Sequence, residues 1–148
     1  MRVFVLSVLM LLNICVWNFE TNHNAFQYVS ITQEKNLEES IKDGKAVYSD
    51  FCIRCHLGKG EGVEGIYPPL ADSNWLSEKR KESIKSVKYG LKGEIVVNGK
   101  TYNNNMTSMG LTDREVADVM NYIMNSFGNK KNGYDQVTID EVSALKAN

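Results

Sequence analysis

The stretch Cys52-Ile53-Arg54-Cys55-His56 carries the residue spacing that says most about this 148-residue chain. In a C-x-x-C-H pattern, two thiols bond the vinyl groups of one haem and the histidine that follows binds its iron. On a helical turn Cys52 and Cys55 share one face, so His56 can lie beneath the porphyrin that the two thioethers hold. The pattern therefore predicts one covalently attached haem with His56 as an axial ligand.

Two other chemistries use the same residue types. A structural zinc ion usually has four protein ligands, so the two thiols and His56 would need the distant His23 or Cys15 as a fourth. A thioredoxin-like redox pair accompanies a βαβ pattern, which this sequence does not show. Only three cysteines occur, which excludes a disulfide framework. Haem attachment is the favoured interpretation.

Composition and charge fit one small globular domain. The chain is 43% hydrophobic and 24% charged and contains two prolines, so it can bury a single core and is not broadly disordered. Its formal net charge of −1 gives no basic excess. We therefore expect no binding of nucleic acid.

A signal peptide or an amino-terminal anchor is expected at residues 1–19. The uncharged run Val3–Trp17 follows Met1-Arg2, which is the form of a basic n-region and an apolar h-region. As a helix this run would reach about 22 Å, short of the roughly 30 Å hydrocarbon core, so export is favoured over a permanent span. Asn18–Ala25 holds no A-x-A cleavage pattern, and an uncleaved anchor stays open.

The remaining chain divides into three parts. Residues 20–36 are polar without helical periodicity and read as a linker. Residues 37–128 hold the haem motif and the periodic segments of the folded domain. Residues 129–148 form a C-terminal extension, in which the capping box Thr138–Glu141 begins a last short helix.

Hydrophobic periodicity predicts three helices within 37–128. The first runs from about Leu37 to Phe51 and leads into the haem motif, and a second, short helix covers Ser77–Leu91. The clearest pattern follows the capping box Thr112–Glu115 and keeps one apolar face until Gly128. The first helix is expected to bury an apolar stripe made of Leu37, Ile41, Ala46, Val47 and Tyr48.

Non-helical segments separate these helices. Gly58–Gly65 is expected to be a loop because glycines alternate with charged residues there. Ile95–Val97 and Thr101-Tyr102 flank Asn98-Gly99, a pair that suits a tight hairpin. A cluster of basic residues with interspersed glutamates is expected to be a solvated helix face with local ion pairs rather than a docking patch. It consists of Lys79, Arg80, Lys81, Lys85 and Lys88.

The second axial ligand has several candidates. Apart from His56 the only histidine is His23, which lies in the linker. Met106 and Met109 lie in a loop between the hairpin and the last long helix of the domain, where a thioether could reach the iron. Met120 falls on the apolar stripe of that helix and suits core filling. Methionine ligation is therefore favoured.

Together these features resemble a class I monohaem cytochrome c of the exported bacterial type. The resemblance covers about Leu37–Gly128 and implies an all-α fold of three to five helices around one covalently attached haem c; a minor β-hairpin is expected beside them. It rests on residues before, after and opposite the haem motif: Gly44, Tyr48, Tyr67-Pro68-Pro69-Leu70, Tyr102-Asn103-Asn104-Asn105-Met106, Val119 and Tyr122.

The resemblance also implies roles for individual residues. Met106 would be the sixth iron ligand, since such cytochromes read Met-Pro-x-x-Gly where this chain reads Met106-Thr107-Ser108-Met109-Gly110. Thr107 departs from that pattern, which leaves Met109 as a competing ligand. The Pro68 carbonyl would accept a hydrogen bond from His56, and Leu70 would pack on the porphyrin. A close helix crossing would involve Gly44, Tyr48, Val119 and Tyr122.

The function expected from these features is electron transfer without catalysis. A His/Met-ligated haem c would carry single electrons between respiratory redox partners such as an oxidase, a reductase or a dehydrogenase. Partners would make weak, transient contact at the haem edge near Cys52 and Cys55. The export signal implies the periplasmic side of a bacterial membrane. The alternative is a ligand-sensing or peroxidatic cytochrome whose sixth ligand is labile because of Thr107.

Overall fold

Helices and one β-hairpin make up residues 35–147, the part of the chain that the computed structural model describes. The expected signal or anchor at 1–19 and most of the linker, with His23 and Cys15, lie outside the described residues. The helical elements are α1 (Leu37–Val47), a π-helical segment (Tyr48–Cys52), α2 (Ile53–His56), α3 (Asn74–Glu78), α4 (Arg80–Tyr89), α5 (Asp113–Asn125), a 3-10 turn (Asn129–Asn132) and α6 (Ile139–Ser143). The hairpin pairs β1 (Ile95–Val97) with β2 (Lys100–Tyr102).

The first helix runs without a break from α1 through the π segment into α2. Counted as one, it brings the described part of the chain to five helices and one small sheet. The predicted all-α architecture with a minor hairpin is therefore confirmed. Within 35–147, no helix has the length and apolarity that crossing a bilayer requires.

The buried face of α1 differs from the predicted apolar stripe. Asn36 caps the helix by accepting a hydrogen bond from the Glu39 amide at 2.9 Å. Ser40 and Gly44 are the buried residues of α1, whereas Ala46 is exposed. The reason is the close approach of α5, because only small side chains fit between two helix backbones in contact.

The predicted single helix at Ser77–Leu91 is wrong in its bounds and number. Two helices, α3 and α4, meet at Lys79, whose backbone leaves helical geometry with φ −127° and ψ 48°. Gly90 ends α4 with φ 84°, a value that favours glycine. The chain then turns towards the hairpin.

The hairpin is confirmed at the predicted place. Asn98 and Gly99 have φ values of 50° and 77°, as a two-residue turn with positive φ at both positions requires. Asn98 also ties the turn to the start of α3. The Asn74 amide donates to Asn98 Oδ1 at 2.9 Å, and the Asn98 amide donates to Asn74 Oδ1 at 2.7 Å.

The long helix α5 begins as predicted and ends early. Thr112 and Glu115 form a reciprocal capping box. The helix stops at Asn125 rather than at Gly128, because Ser126 is extended and Phe127 has a φ of 54°. The predicted apolar stripe is buried at Val116, Val119, Met120 and Ile123.

The C-terminal residues share the core of the domain. Val137 and Val142 are buried in the same cluster as Tyr48, Ile84 and Met120. A short helix, α6, lies where the extension was predicted to form one, and the Thr138 side chain caps it. Residues 129–147 therefore pack on the domain instead of hanging free of it.

A buried polar network joins α1, α5 and the extension. Asp118 accepts hydrogen bonds from Ser40 Oγ at 2.6 Å and from Lys35 Nζ at 2.8 Å. The Asn121 side chain donates to Ser40 Oγ and to the Val137 carbonyl, both at 2.9 Å, and accepts from the Val137 amide. Among the described residues, every buried side-chain nitrogen or oxygen has a hydrogen-bond partner.

The basic residues of α4 do not all form the predicted solvated face. Arg80 pairs with Glu141 of α6, with Nε and Nη2 donating to the two carboxylate oxygens at 2.8 and 2.7 Å. Lys88 pairs with Asp113 at 2.7 Å and is only 14% exposed. The predicted local ion pairs are thus wrong at both positions, because the partners come from elements far along the chain.

Candidate functional site

The C-x-x-C-H motif begins at the end of the π segment and continues through α2. Cys52 ends the π segment, and Cys55 and His56 close α2. Leu57 then leaves the helix with φ 61°, and its carbonyl accepts a hydrogen bond from the Tyr48 hydroxyl at 2.6 Å. The Tyr48 side chain thus spans the motif and fixes its two ends relative to each other.

His56 is held by the loop that follows the motif. The imidazole is 8% exposed, and its Nδ1 lies 3.0 Å from the Pro68 carbonyl oxygen. Because a carbonyl only accepts, Nδ1 carries the proton and donates, which leaves the Nε2 lone pair free for a metal. Burial lowers the pKa of His56, although the hydrogen bond to Pro68 opposes this, and the shift favours the neutral form of the ring that can bind a metal.

The loop from Leu57 to Ala71 is ordered by its own backbone bonds. The Gly62 amide donates to the His56 carbonyl at 3.0 Å, and Val63 pairs with Tyr67 through two backbone hydrogen bonds. A Cβ on Gly62 would fall 2.4 Å from the Tyr67 carbonyl oxygen, so glycine is required at that close approach. The predicted Gly58–Gly65 loop is confirmed, and it presents Pro68 to His56.

Two adjoining clefts, with cavity volumes of about 70 and 110 Å³, open on the motif. The first, here called the inner cleft, is lined by Cys52, Leu70, Met120 and other mostly apolar residues. The second, the outer cleft, is lined by Cys55, Ile66 and Met109 among others. Residues that line both clefts are His56, Pro68, Leu91, Ile95 and Met106.

Met106 is anchored to a strand-like residue beyond α4. The Leu91 amide donates to the Met106 carbonyl at 2.8 Å, and the Met106 amide donates to the Leu91 carbonyl at 2.9 Å. Met106 is half-buried and lines both clefts, whereas Met109 is 40% exposed and lines only the outer one. The two candidate methionines therefore lie in different environments.

The donor set in these clefts fits a haem. Two free thiols, a buried imidazole and a thioether surround largely apolar space, which is the kind of lining that binds cofactors in proteins. Burial, and to a lesser extent the neighbouring Cys55, raise the pKa of Cys52 to about 11. Within 35–147, no group of three His, Cys, Asp or Glu side chains is placed to hold a metal ion.

Gly44, Tyr48, Val119 and Tyr122 all lie where α1 meets α5. The ring centroids of Tyr48 and Tyr122 are 5.4 Å apart, and Phe127 joins them at 5.1 and 5.5 Å. Because Tyr48 begins the π segment, this aromatic group lies next to the turn that leads into the C-x-x-C-H motif. Phe127 was not among the residues expected at this helix crossing, because its spacing placed it only on the apolar stripe of α5.

Comparison with known proteins agrees with this geometry. The profile of the family described as Cytochrome c matches residues 41–127. The chain belongs to the cytochrome c family. The resemblance to a class I monohaem cytochrome c is thereby confirmed, and with it an electron-transfer function, the covalent haem c cofactor and a role other than that of an enzyme.

Relatives of this cytochrome c include one protein of similar length and two that are several times longer than the matched segment. Cytochrome c-552 of Thermus thermophilus is 38% identical over 112 residues, which cover 71% of this chain and 85% of the relative. The fructose dehydrogenase cytochrome subunit of Gluconobacter japonicus is 28% identical over 71% of this chain and 22% of its own length. The cbb3-type oxidase subunit FixP of Bradyrhizobium diazoefficiens is 31% identical over 62% of this chain and 32% of its own.

The contacts of some residues near the clefts could not be predicted from the sequence. Leu91 reads as the end of a helix but pairs with Met106 instead. Gly90 gave a usable hint, since a glycine at the end of a periodic segment marks a helix terminus. Ser108 and Lys88 look like ordinary surface residues, and only the fold brings them together.

Proposed function

We propose that this cytochrome c is a single-electron carrier whose haem is attached through Cys52 and Cys55 and whose iron is bound by His56 and Met106. The proposal rests on the lining of the two adjoining clefts. His56 and Met106 line both clefts, while Cys52 lines the inner cleft and Cys55 the outer one. A mixed His/Met pair raises the reduction potential of a haem relative to bis-histidine ligation.

The chemistry of the bound group is the reversible uptake of one electron at iron. The chain supplies orientation and a dry surrounding. The Pro68 carbonyl accepts a hydrogen bond from the Nδ1–H group of His56, which fixes the orientation of the ring. The same bond makes Nε2 more basic and therefore a stronger ligand for a metal. Leu70 and Met120 contribute apolar surface to the inner cleft, which limits access of water.

Met106 is preferred to Met109 as the sixth ligand because of burial and anchoring. Met109 is 40% exposed, and its side chain faces only the outer cleft. Met106 has its backbone held by Leu91 in both directions, which does not depend on a proline at position 107. This anchoring favours Met106 as a stable ligand of the haem iron, so we do not propose the sensor or peroxidatic alternative.

The proposed partners are redox enzymes, such as an oxidase, a reductase or a dehydrogenase, on the exported side of a bacterial membrane. Support comes from one relative named as the cytochrome subunit of a fructose dehydrogenase and another named as a subunit of a cbb3-type cytochrome c oxidase. Phe51 and Ile53, at either side of Cys52, are exposed and provide apolar contact surface beside the attachment site. A small contact of this kind suits a transient electron-transfer complex.

The ligand assignment is tested with two methionine variants of the holoprotein, made in a host that attaches haem. Met106→Ala should abolish the visible sulfur-to-iron band of the oxidised protein and lower its reduction potential. Met109→Ala should leave both unchanged, and the matched chemistry of the two substitutions makes it the control. The reverse pattern would transfer the role to Met109.

Attachment is tested by acid–acetone extraction. Haem should stay with the wild-type polypeptide, because thioether bonds survive this treatment. The double variant Cys52→Ala/Cys55→Ala should release all its colour to the solvent. Complete extraction from the wild-type protein would refute covalent attachment through these residues.

A further inference from the structure

We propose that Ser108 and Lys88 are positioning residues for Met106: they hold the segment Met106–Asp113 against the end of helix α4. The surface that receives this segment is the Lys88–Leu91 turn, made of the last two residues of α4 with Gly90 and Leu91. The proposal rests on Met106 as iron ligand and names what keeps it in place where proline is absent at position 107.

The first attachment is the backbone pairing of Leu91 with Met106, with hydrogen bonds of 2.8 and 2.9 Å in the two directions. Gly90 makes this approach possible. Its φ of 84° favours glycine, and a Cβ there would fall 2.6 Å from the Met106 carbonyl oxygen. The two chain segments are therefore in direct backbone contact.

The second attachment is made by Ser108. Its Oγ donates a hydrogen bond to the Lys88 carbonyl at 2.8 Å. Lys88 lies in the last turn of α4, where carbonyl groups have no partner within the helix. The Ser108 side chain thus gives a carbonyl at the end of α4 a hydrogen-bond partner, and it also fixes the loop that follows Met106.

The third attachment is the Lys88 side chain. Its Nζ lies 2.7 Å from Asp113 Oδ1 and donates to the Val142 carbonyl at 2.9 Å. Asp113 is the first residue of α5, so one lysine holds the far end of the loop through its ammonium and the middle through its carbonyl. Thr107 is exposed, and the order of the loop comes from its neighbours on both sides.

This arrangement predicts how easily another ligand displaces Met106. An added base such as imidazole binds the oxidised iron only when Met106 has moved away, so each lost attachment raises its apparent affinity. Ser108→Ala in the holoprotein should raise the imidazole association constant about fivefold, as the loss of one hydrogen bond implies. Ser108→Thr keeps the hydroxyl and should restore the wild-type constant.

The matched control is Ser77→Ala, which removes an exposed hydroxyl that donates to the Asn74 carbonyl in α3. It should leave the imidazole constant within about twofold of wild type. An equal rise in Ser77→Ala and Ser108→Ala would mean general loosening and would overturn the proposal, as would an unchanged constant in Ser108→Ala.

A second measurement does not depend on ligand exchange at iron. Lys88→Met keeps the aliphatic stem and removes the contacts of Nζ with Asp113, with the Val142 carbonyl and with the Tyr89 ring. Lys81→Met, at an exposed lysine of the same helix, is the control for the loss of one positive charge. Amide hydrogen exchange at Leu91 and Met106 should speed up about fivefold in Lys88→Met, and Lys88→Arg should reverse part of the change. Exchange rates that match those of Lys81→Met would contradict the role of Lys88.

Failure of this proposal is distinguishable from failure of the ligand assignment. If Met106→Ala retains the sulfur-to-iron band, the proposed ligation is wrong. If that band is lost as expected while Ser108→Ala and Lys88→Met behave like their controls, the ligation stands and the positioning role falls.

Discussion

Gly44 of α1 lies against the backbone carbonyl of Asp118 in α5, so closely that a Cβ on Gly44 would fall 1.9 Å from the carbonyl oxygen. The two nearest obstructing atoms belong to the helix backbone at Asp118, and the third is the Tyr122 Cβ, so none is the far end of a flexible side chain. The two helices can accommodate even one methyl group only by moving apart, and this would disturb the motif helix directly beyond α1.

Gly44→Ala is expected to destabilise the protein by at least about 2 kcal/mol through overpacking. The control is Gly58→Ala, because an added Cβ there meets no atom within 4 Å. Denaturant unfolding of the two holoproteins provides the comparison. Equal stability of both variants would show that the helix crossing is looser than described.

Asn98→Ala should weaken the wall of the inner cleft. The substitution removes the acceptor for the Asn74 amide and places alanine at a φ of 50°, for a combined cost of about 2 kcal/mol. Asn98→Gly loses the same hydrogen bond but tolerates the backbone angle, so its cost should be about 1 kcal/mol. Thermal unfolding would separate the two terms, and identical values would rule out the contribution of backbone strain.

Arg80→Met should loosen the C-terminal residues from α4. It removes two hydrogen bonds to Glu141, those to the Asp135 and Gln136 carbonyls at 3.2 and 3.5 Å, and a 3.7 Å contact with Met124 Sδ. Together these contribute about 1.5 kcal/mol after allowance for partial exposure. Lys81→Met, at an exposed position of the same helix, should change stability by less than about 0.5 kcal/mol. Urea unfolding would test the difference, and limited proteolysis should cut within 129–147 sooner in Arg80→Met alone.

Stability should fall in acid partly through Glu115. Hydrogen bonds from the Thr112 amide and hydroxyl lower the pKa of Glu115. Since the folded value lies below the unfolded value of about 4.3, the stabilisation is full above that pH and is lost as pH falls through the folded value. Glu115→Gln should cost about 0.5 kcal/mol at pH 7 and less at about pH 3. Urea unfolding at both values is the measurement; a cost that does not change with pH would contradict it.

The local features of the fold were predictable because their causes are local. The turn at Asn98-Gly99 and the start of α5 at Thr112 depend on residues within one or two turns of each other. The C-x-x-C-H spacing led to the clefts for the same reason, since Cys52, Cys55 and His56 are neighbours in sequence. Each is a short-range rule that one sequence can express.

The features that sequence analysis missed depend on partners far along the chain. Ser40 and Asp118 form a buried hydrogen bond across 78 positions, and neither residue type suggests burial by itself. Arg80 and Lys88 were predicted to lie on a solvated helix face because glutamates close to them in sequence could pair with them. Their actual partners, Glu141 and Asp113, become close only after the chain has folded.

The π segment at Tyr48–Cys52 changes the rotation between α1 and the helical turns that carry the C-x-x-C-H motif. There the Ile53 amide bonds the Tyr48 carbonyl five residues back, so this turn contains more residues than an α-helical one. The wide turn acts as an angular spacer. It sets the angle between the face of α1 that packs against Asp118 and the face of the following turns that carries Cys52 and Cys55.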